Sequence, residues 1–279
     1  MTEVLRYAAF TTNPATGNPA GVVLDANGMT DEVMQGIAAD LGYSESAFAI
    51  PTGDRRYAVR YFSPLAEVPF CGHATIATAV AMAERDGPGT WLFETKAGEI
   101  PVRTDRRATI VATLTSVPTH SRPATTDELT RALAALNWPV SDLAPTWPPH
   151  VAFAGNDHLI LAAATRTRLA DLNYDFEALK SLMEEAGWTT VQLFWPESTH
   201  TFHARDPFPV GGVVEDPATG AAAAALGGYL RTIGKAPTPR ELLIVQGEDM
   251  GRRSELTIAV HPTDPKVKVT GAATRIPAA

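Results

Sequence analysis

Two segments of the 279-residue chain, far apart in sequence, share one plan: a strand, a proline-containing loop and a small-residue helix. The first has a strand over residues 57–63, and Cys71-Gly-His-Ala-Thr75 then opens the helix. The second has a strand over 199–204 and a loop over 205–209, and Asp216-Pro-Ala-Thr-Gly220 opens a helix over residues 221–230. The repeat predicts two related halves, each with a helix N-terminus whose free N–H groups can bind an anion. If the two termini face one another, we expect a site for a small carboxylate.

Composition and charge argue against several classes of function. The net charge of −8 disfavours a nucleic-acid partner. No apolar run approaches the roughly 18–20 residues that span a bilayer, and the first residues lack the pattern of a signal peptide. The single cysteine excludes an intrachain disulfide. Together these features favour the cytoplasm and no membrane partner.

Alternating strand and helix patterns predict an α+β fold with two lobes. Helices are expected over residues 31–41, capped by Thr30, and over 126–137, capped by Thr126. Residues 117–125 carry two prolines and no apolar period, so we place the boundary there. The predicted lobes are residues 1–118 and 119–279, and the last strand is a candidate to return to the first lobe.

The first of the two helix starts carries a thiol beside an imidazole. Cys71 precedes the helix and neighbours His73, which favours a thiolate that acts as nucleophile or base. The alternative is a small buried thiol that only fills space. For His73 the helix dipole disfavours an imidazolium, which predicts a neutral ring that makes one hydrogen bond. The alternative there is a histidine that caps its own helix.

Two carboxylates are further candidates. Glu45 begins a predicted strand among apolar residues, where desolvation favours the protonated form and suits a general acid/base. An exposed strand-end glutamate is the alternative. Asp216 precedes Pro217, which fits the first position of a helix with Asp216 as its N-cap. It would then be a fixed hydrogen-bond acceptor, and a purely capping role is the alternative.

Known metal and nucleotide motifs are missing from the sequence. His200 and His203 have an odd spacing on a predicted strand, so their rings point to opposite faces. There is no His-Glu-x-x-His, no paired-cysteine spacing, no GxxxxGK[ST] and no GxGxxG after a strand. We therefore predict no metal site and no ATP or NAD cofactor.

An ordered set of motifs runs through the chain. It comprises Gly17-Asn-Pro-Ala-Gly-Val22, Ser44-Glu-Ser-Ala-Phe48, Phe62-Ser-Pro64 with Val68-Pro-Phe-Cys-Gly-His-Ala-Thr75, Arg205-Asp-Pro207, Glu215-Asp-Pro-Ala-Thr-Gly220 and Gln246-Gly-Glu-Asp-Met-Gly-Arg252. In this order and at these separations the motifs resemble the PhzF-like family, named after the isomerase of phenazine biosynthesis. The resemblance covers nearly the whole chain.

The resemblance implies a diaminopimelate-epimerase-like fold. In that fold two pseudo-symmetric lobes each wrap a mixed or antiparallel sheet around a central helix, and the active site lies in the cleft between them. It also implies proton transfer at carbon without cofactor or metal, commonly in a homodimer. In the phenazine enzyme the substrate is a dihydro-hydroxyanthranilate. The residue that matches Glu45 moves the proton, while those matching His73 and Asp216 orient substrate groups.

Three features of the chain depart from the patterns of related enzymes. The related epimerases use two thiols, but this chain has only Cys71, so two-thiol epimerisation is excluded and Glu45 remains as the proton carrier. Ala221 stands where the family often has a serine that binds the substrate carboxylate. A missing hydrogen bond of that kind costs on the order of 0.5–1.5 kcal/mol. Arg253 stands where a proline is usual. The last two changes point to a substrate other than the phenazine intermediate.

The resulting hypothesis is a small-molecule isomerase. Its catalytic residues are Glu45, His73 and Asp216, and its substrate is a cyclic or unsaturated carboxylic acid. The predicted substrate-binding residues are Asn18, Ser44, Cys71, Gly72, Gly220 and Ala221. Two alternatives stay open: a Cys71-dependent hydrolase or transferase, and a non-catalytic metabolite-binding protein on the same fold.

Overall fold

The protein consists of two compact units. The computed structural model describes residues 3–277. One unit runs to Thr115 and resumes at Thr270, and the other is formed by Ser116–Val269. The boundary predicted from the sequence lies between residues 118 and 119.

Within residues 3–277, the first unit combines two helices with nine strands. The helices are α1 (Asp31–Leu41) and α2 (Gly72–Asp86). The strands are β1 (Leu5–Ala9), β2 (Asn18–Val23), β3 (Glu45–Gly53), β4 (Arg56–Phe62), β5 (Glu67–Val68), β6 (Gly89–Thr95), β7 (Gly98–Arg106), β8 (Ile110–Thr115) and β17 (Lys268–Arg275), which belongs to this unit from Thr270 onwards. Thr30 caps α1 and Gly42 ends it in the left-handed conformation, which confirms the helix predicted over residues 31–41.

Eight strands of the first unit form a closed ring. Strand β2 pairs antiparallel with β1 and parallel with β3, and β3 pairs antiparallel with β4. Strand β4 runs parallel to β6, which continues through antiparallel pairs to β7 and β8. Strand β17 pairs with both β8 and β1 and so completes the ring. Closure gives the backbone groups of each strand a partner on both sides.

Helix α2 is the central element of this unit. It packs against β1, β2, β3, β7 and β8, and every residue from His73 to Ala83 is buried. Most of the buried residues of α2 are apolar, and the hydroxyls of Thr75 and Thr78 donate to carbonyls of the preceding turn. The many alanines of α2 also let the strands approach closely. Neither α2 nor any other helix within residues 3–277 is long and apolar enough to cross a membrane.

The second unit has its own central helix. Its helices are α3 (Thr126–Leu136), α4 (Arg166–Ala170), α5 (Phe176–Ala186) and α6 (Gly220–Thr232). Its strands are β9 (His120–Pro123), β10 (His150–Phe153), β11 (Asp157–Ala162), β12 (Trp188–Pro196), β13 (Thr201–Pro207), β14 (Glu215–Asp216), β15 (Arg240–Gln246) and β16 (Ser254–Val260). Helix α6 packs against β9 to β12 and β16, and it is buried from Ala222 to Leu230.

The two units repeat one pattern of strand pairing. Along β1, β2, β3 and β4 the pairs are antiparallel, parallel and antiparallel, and β10, β11, β12 and β13 follow the same order. Each fourth strand then has a short antiparallel partner (β5 or β14) and a longer parallel one (β6 or β15). The central helix follows the short strand in both units. The repeat predicted from the sequence is therefore confirmed.

The predicted loop over residues 205–209 is wrong at its start. Arg205, Asp206 and Pro207 belong to β13, because Asp206 and Pro207 pair with the two residues of β14. Sequence patterns did not indicate this strand end, since β14 is too short to show any period.

Two predicted helix caps are also wrong. Asp216 lies in β14, and α6 begins at Gly220 with Thr219 as its N-cap, so neither Asp216 nor Pro217 starts the helix. The pairing of Asp216 with Asp206 keeps this part of the chain extended. Helix α3 is capped by Thr125 instead of Thr126, in a capping box with Glu128.

We expect Gly228, one of two buried glycines of α6, to be intolerant of a side chain. A Cβ at Gly228 would lie 2.6 Å from Oγ1 and 2.7 Å from Cβ of Thr119, a residue that is itself buried. Gly228→Ala should therefore lower the free energy of unfolding by about 1–3 kcal/mol, measured by urea denaturation.

The matched control is Gly36→Ala on the exposed side of α1, where a Cβ meets nothing within 4 Å. This change should raise stability by up to about 1 kcal/mol through helix propensity alone. Equal stability of Gly228→Ala and the wild type would contradict the close packing of α6 on Thr119.

Candidate active site

Three side chains predicted from the sequence meet in the first unit. Glu45 is the first residue of β3, Cys71 is the N-cap of α2 and His73 is its second residue. The thiol of Cys71 donates to Oε2 of Glu45 at 3.5 Å, and Sγ lies 3.3 Å from Nδ1 of His73. Oε2 of Glu45 is also 3.6 Å from Nε2 of His73. A carboxylate, a thiol and an imidazole thus share one small cluster.

Burial sets the protonation of the histidine in this cluster. The side chain of His73 is 6% exposed, and burial lowers the pKa of its imidazole below the usual value. Glu45 and a hydrogen bond to the carbonyl of Pro19 act in the opposite direction but are weaker. The neutral ring that we expected from the helix dipole is therefore favoured mainly by desolvation.

The start of α2 also presents backbone donors. The first helical bond runs from the amide of Thr75 to the carbonyl of Cys71, so the amides of Gly72, His73 and Ala74 are outside the helical ladder. Ser44, which is exposed, lies 3.4 Å from Nε2 of His73 through its hydroxyl. The cluster thus combines an acid/base group with nearby N–H groups that are suited to an anion.

Asn18 is the first residue of β2 and is buried. It directly precedes Pro19, whose carbonyl interacts with the His73 ring. The structure therefore places Asn18 next to a residue that contacts the cluster.

The cluster also forms a possible set of metal ligands. The donor atoms of Glu45, Cys71 and His73 all lie within 4.8 Å of one another. Motif spacing did not reveal this set, because Glu45 is far from the other two residues in the sequence and comes from a different element.

Asp216 belongs to a separate group of hydrogen-bonded residues in the second unit. Its Oδ2 accepts a hydrogen bond from the Thr219 hydroxyl at 2.5 Å. The buried Gln246 donates to the backbone carbonyl of Asp216 at 2.8 Å and accepts from the amide of Thr219 at 3.1 Å. These bonds hold residues 216–219 in place just before Gly220 and Ala221, the first two residues of α6.

Thr219 and Gln246 were not among the predicted site residues. Gln246 ends a strand of buried apolar residues, and a polar residue at such a position needs an internal partner. That signal could have indicated its role. Gly247 follows with φ +70°, and a Cβ there would lie 2.7 Å from the carbonyl of Pro217, so the chain approaches this loop too closely for any side chain.

A buried ion pair fixes the strand that carries Asp216. Arg205 donates to both carboxylate oxygens of Glu215, at 3.0 and 2.5 Å, and the two side chains are only 9% and 3% exposed. A third donor of Arg205 binds the carbonyl of Ala170 at 2.6 Å. Because each charge is paired and hydrogen-bonded, burial is tolerated, whereas loss of either partner would leave an isolated buried charge.

Three buried polar side chains form a hydrogen-bonded series that ends at Asp206, the residue of β13 that pairs with Asp216. The hydroxyl of Thr190 donates to Asp206 at 2.9 Å and therefore accepts from Nδ1 of His158 at 2.8 Å. Nε2 of His158 then carries no proton, and it has no hydrogen-bond partner among residues 3–277. Burial raises the pKa of Asp206 well above its usual value and lowers the pKa of His158 to about 3.

Comparison with known proteins identifies the family. Residues 7–278 match the family described as "Phenazine biosynthesis-like protein". The chain belongs to this family. A Deinococcus radiodurans protein named as an isomerase is 35% identical over 96% of this chain and 90% of its own length. The trans-2,3-dihydro-3-hydroxyanthranilate isomerase of Pseudomonas aeruginosa is 32% identical over 89% and 86%, respectively. These relatives confirm the predicted isomerase class.

Solved structures confirm the predicted fold class. A PhzF-family protein of Bacillus anthracis superposes with a TM-score of 0.89 at 27% identity, covering 99% of this chain and 97% of that one. A probable proline racemase from Agrobacterium radiobacter K84 gives a TM-score of 0.68 at 13% identity, with 98% and 91% covered, and shows a shared fold alone. The α+β fold of two related units, each with a sheet around a central helix, is thus the epimerase-like fold of the family.

The low pKa of His158 should make stability depend on pH. Between pH 6.5 and about pH 3 the unfolded chain binds a proton at this residue that the native protein does not bind. The free energy of unfolding should therefore fall with falling pH by up to about 1.4 kcal/mol per unit from this group. His158→Asn keeps a donor to Thr190 and should remove that contribution, measured by urea denaturation across the pH range.

Asp206, which has the opposite pH dependence, is retained in this variant, so the difference from the wild type reports on His158. The exposed His261→Asn is the control and should keep the wild-type slope. If His158→Asn and His261→Asn both kept the wild-type slope, His158 would not be the group responsible for the pH dependence.

Proposed function

We propose that the protein moves a proton between two carbons of a small cyclic or unsaturated carboxylic acid, with Glu45 as the proton carrier and without a cofactor. The observation that carries the proposal is the placement of Glu45. Its carboxylate is 20% exposed, so a substrate can reach it, and it lies within 3.6 Å of both Cys71 Sγ and His73 Nε2. The name of the Pseudomonas relative, a dihydro-hydroxyanthranilate isomerase, supports the substrate class.

The proposed reaction has two proton transfers. Glu45 removes an acidic proton from carbon, and the electron pair is delocalised into the unsaturated acid. The same carboxyl group then returns the proton to another carbon, so no group is oxidised or reduced. Backbone N–H groups at the start of α2 stabilise the negative charge that develops, and the neutral His73 ring supplies a hydrogen bond.

Asp216 serves in this proposal as a hydrogen-bond acceptor for a donor group of the substrate. Its second oxygen is engaged by Thr219, and Gln246 fixes its backbone, so the carboxylate is preorganised. Gly220 and Ala221 offer the first-turn amides of α6 to the substrate carboxylate, since the first helical bond runs from Ala223 to Thr219. Ala221 supplies no hydroxyl, which favours a carboxylic acid other than the phenazine intermediate.

The unusual Arg253 has a different explanation. Its guanidinium pairs with Glu248 at 2.8 Å and with Glu255 at 3.1 Å, and it is 42% exposed. Glu248 is also paired with Arg166 and His203. Arg253 is thus explained by its place in a surface network of charges, and we propose no role for it in substrate choice.

The resemblance to the family further supports a homodimer, and the composition of the chain with its single cysteine favours the cytoplasm. We propose both, together with a small carboxylic acid as the only partner of the site.

Replacing the proton carrier should stop proton transfer. Glu45→Gln keeps the size of the side chain but cannot accept a proton, so exchange of substrate C–H with deuterated solvent should fall by at least about 100-fold. The measurement is deuterium incorporation by NMR, with a panel of aryl and dihydroaryl acids as substrates.

Glu94→Gln on β6 is the matched control, since Glu94 pairs with Arg56 and stands outside the cluster. It should exchange at the wild-type rate. Persistent exchange in Glu45→Gln would refute the role of Glu45. Binding without exchange for every acid of the panel would favour a metabolite-binding protein instead.

The thiol distinguishes the isomerase from a Cys71-dependent hydrolase or transferase. Cys71→Ala removes one donor to Glu45, so we expect solvent exchange to fall by no more than about tenfold, in keeping with the loss of a single hydrogen bond. A covalent mechanism requires the sulfur and predicts complete loss. Trapping of a substrate adduct on Cys71, seen by intact mass spectrometry, would overturn the isomerase assignment.

A further inference from the structure

We propose that Glu45, Cys71 and His73 form a binding site for Zn²⁺, and that zinc bound there inhibits the enzyme. The three residues offer one carboxylate oxygen, one sulfur and one imidazole nitrogen, all within 4.8 Å of one another. This inference uses the cluster of the proposed function, but it rests on the donor atoms and not on the reaction.

The distances between the donors fit a tetrahedral ion. With Zn–S near 2.3 Å and Zn–N and Zn–O near 2.1 Å, tetrahedral angles place sulfur about 3.6 Å from either lighter donor and nitrogen about 3.4 Å from oxygen. The corresponding separations are 3.5 Å between Sγ and Oε2, 3.8 Å between Sγ and Nε2, and 3.6 Å between Nε2 and Oε2. Each lies within about 0.3 Å of the value for a bound zinc ion.

The chemistry of the donors selects the ion. A thiolate with an imidazole favours zinc over magnesium or calcium, which prefer oxygen ligands alone. Three protein ligands leave the fourth position of the tetrahedron for water or an anion. The partial exposure of Glu45 provides access, while Cys71 and His73 are buried and held by the start of α2.

Inhibition follows from the identity of one ligand. A zinc ion coordinated by Oε2 of Glu45 occupies the oxygen that would accept the substrate proton. Zinc binding also releases the proton of the Cys71 thiol to solvent, and the resulting thiolate coordinates the ion and no longer donates to the carboxylate. Zinc should therefore compete with proton transfer, and a chelator should restore it.

The test is a direct measurement of metal binding. Chelator-treated protein is titrated with Zn²⁺ by calorimetry, and with Co²⁺ by absorption spectroscopy as a probe of geometry. We expect one ion per chain, together with a thiolate-to-cobalt charge-transfer band and the strong visible bands of a tetrahedral site. Cys71→Ala should abolish the charge-transfer band. Both Cys71→Ala and Glu45→Gln should weaken zinc binding by at least about tenfold, because replacing even an outer residue of a metal site costs that much.

A second group of possible donors supplies the control. His203 lies 3.0 Å from Glu248 and 3.5 Å from Glu197, on the second unit. His203→Gln should leave the stoichiometry and the charge-transfer band unchanged. Circular dichroism and thermal melts establish whether each variant is folded. If Cys71→Ala does not fold, Glu45→Gln still tests the site independently.

Two results would overturn the inference: a cobalt complex without a thiolate band, or zinc affinity that is the same in Cys71→Ala, Glu45→Gln and the wild type. Neither outcome depends on catalysis. A protein that binds zinc at these residues but shows no solvent exchange would keep the metal site and lose the proposed function. A protein that shows solvent exchange but binds no zinc at these residues would keep the proposed function and lose the metal site.

Discussion

The whole arrangement depends on a helix that is buried on every side. Helix α2 is enclosed by strands, and this is possible because most of its residues are small and none from His73 to Ala83 needs solvent. Such a helix has little freedom to shift or rotate, since close-packed surroundings resist movement in all directions. Its N-terminus is therefore a fixed point, and Cys71 and His73 take their positions from it.

Glu45 lies near the start of α2, but a different element positions it. It is the first residue of β3, which is held between β2 and β4. The carboxylate and the helix start are thus positioned by separate parts of one closed sheet. A site built on regular elements keeps its geometry better than one built on loops, which suits reactions that depend on the placement of a single proton.

Much of this could be predicted from the sequence, and the failures have a common cause. The helix start at Cys71, the strand that begins at Glu45 and the repeat of the two halves all follow from local periods and breaking residues. The misplaced cap at Asp216 and the missed role of Gln246 depend on pairing between residues that are distant in sequence. The possible metal ligands Glu45, Cys71 and His73 were missed for the same reason, because Glu45 is distant in sequence from the other two.

The bonds of Gln246 have a consequence for how such enzymes diversify. Gln246 of β15 donates to the Thr219 hydroxyl, which in turn donates to the Asp216 carboxylate, so a change at position 219 disturbs both partners and is tolerated best with a compensating change. The side chain of Ala221, two residues after Thr219, takes no part in that network. In the proposed site, where Ala221 offers its amide to the substrate carboxylate, substrate preference can therefore change at position 221 by single mutations while the supporting residues stay constant.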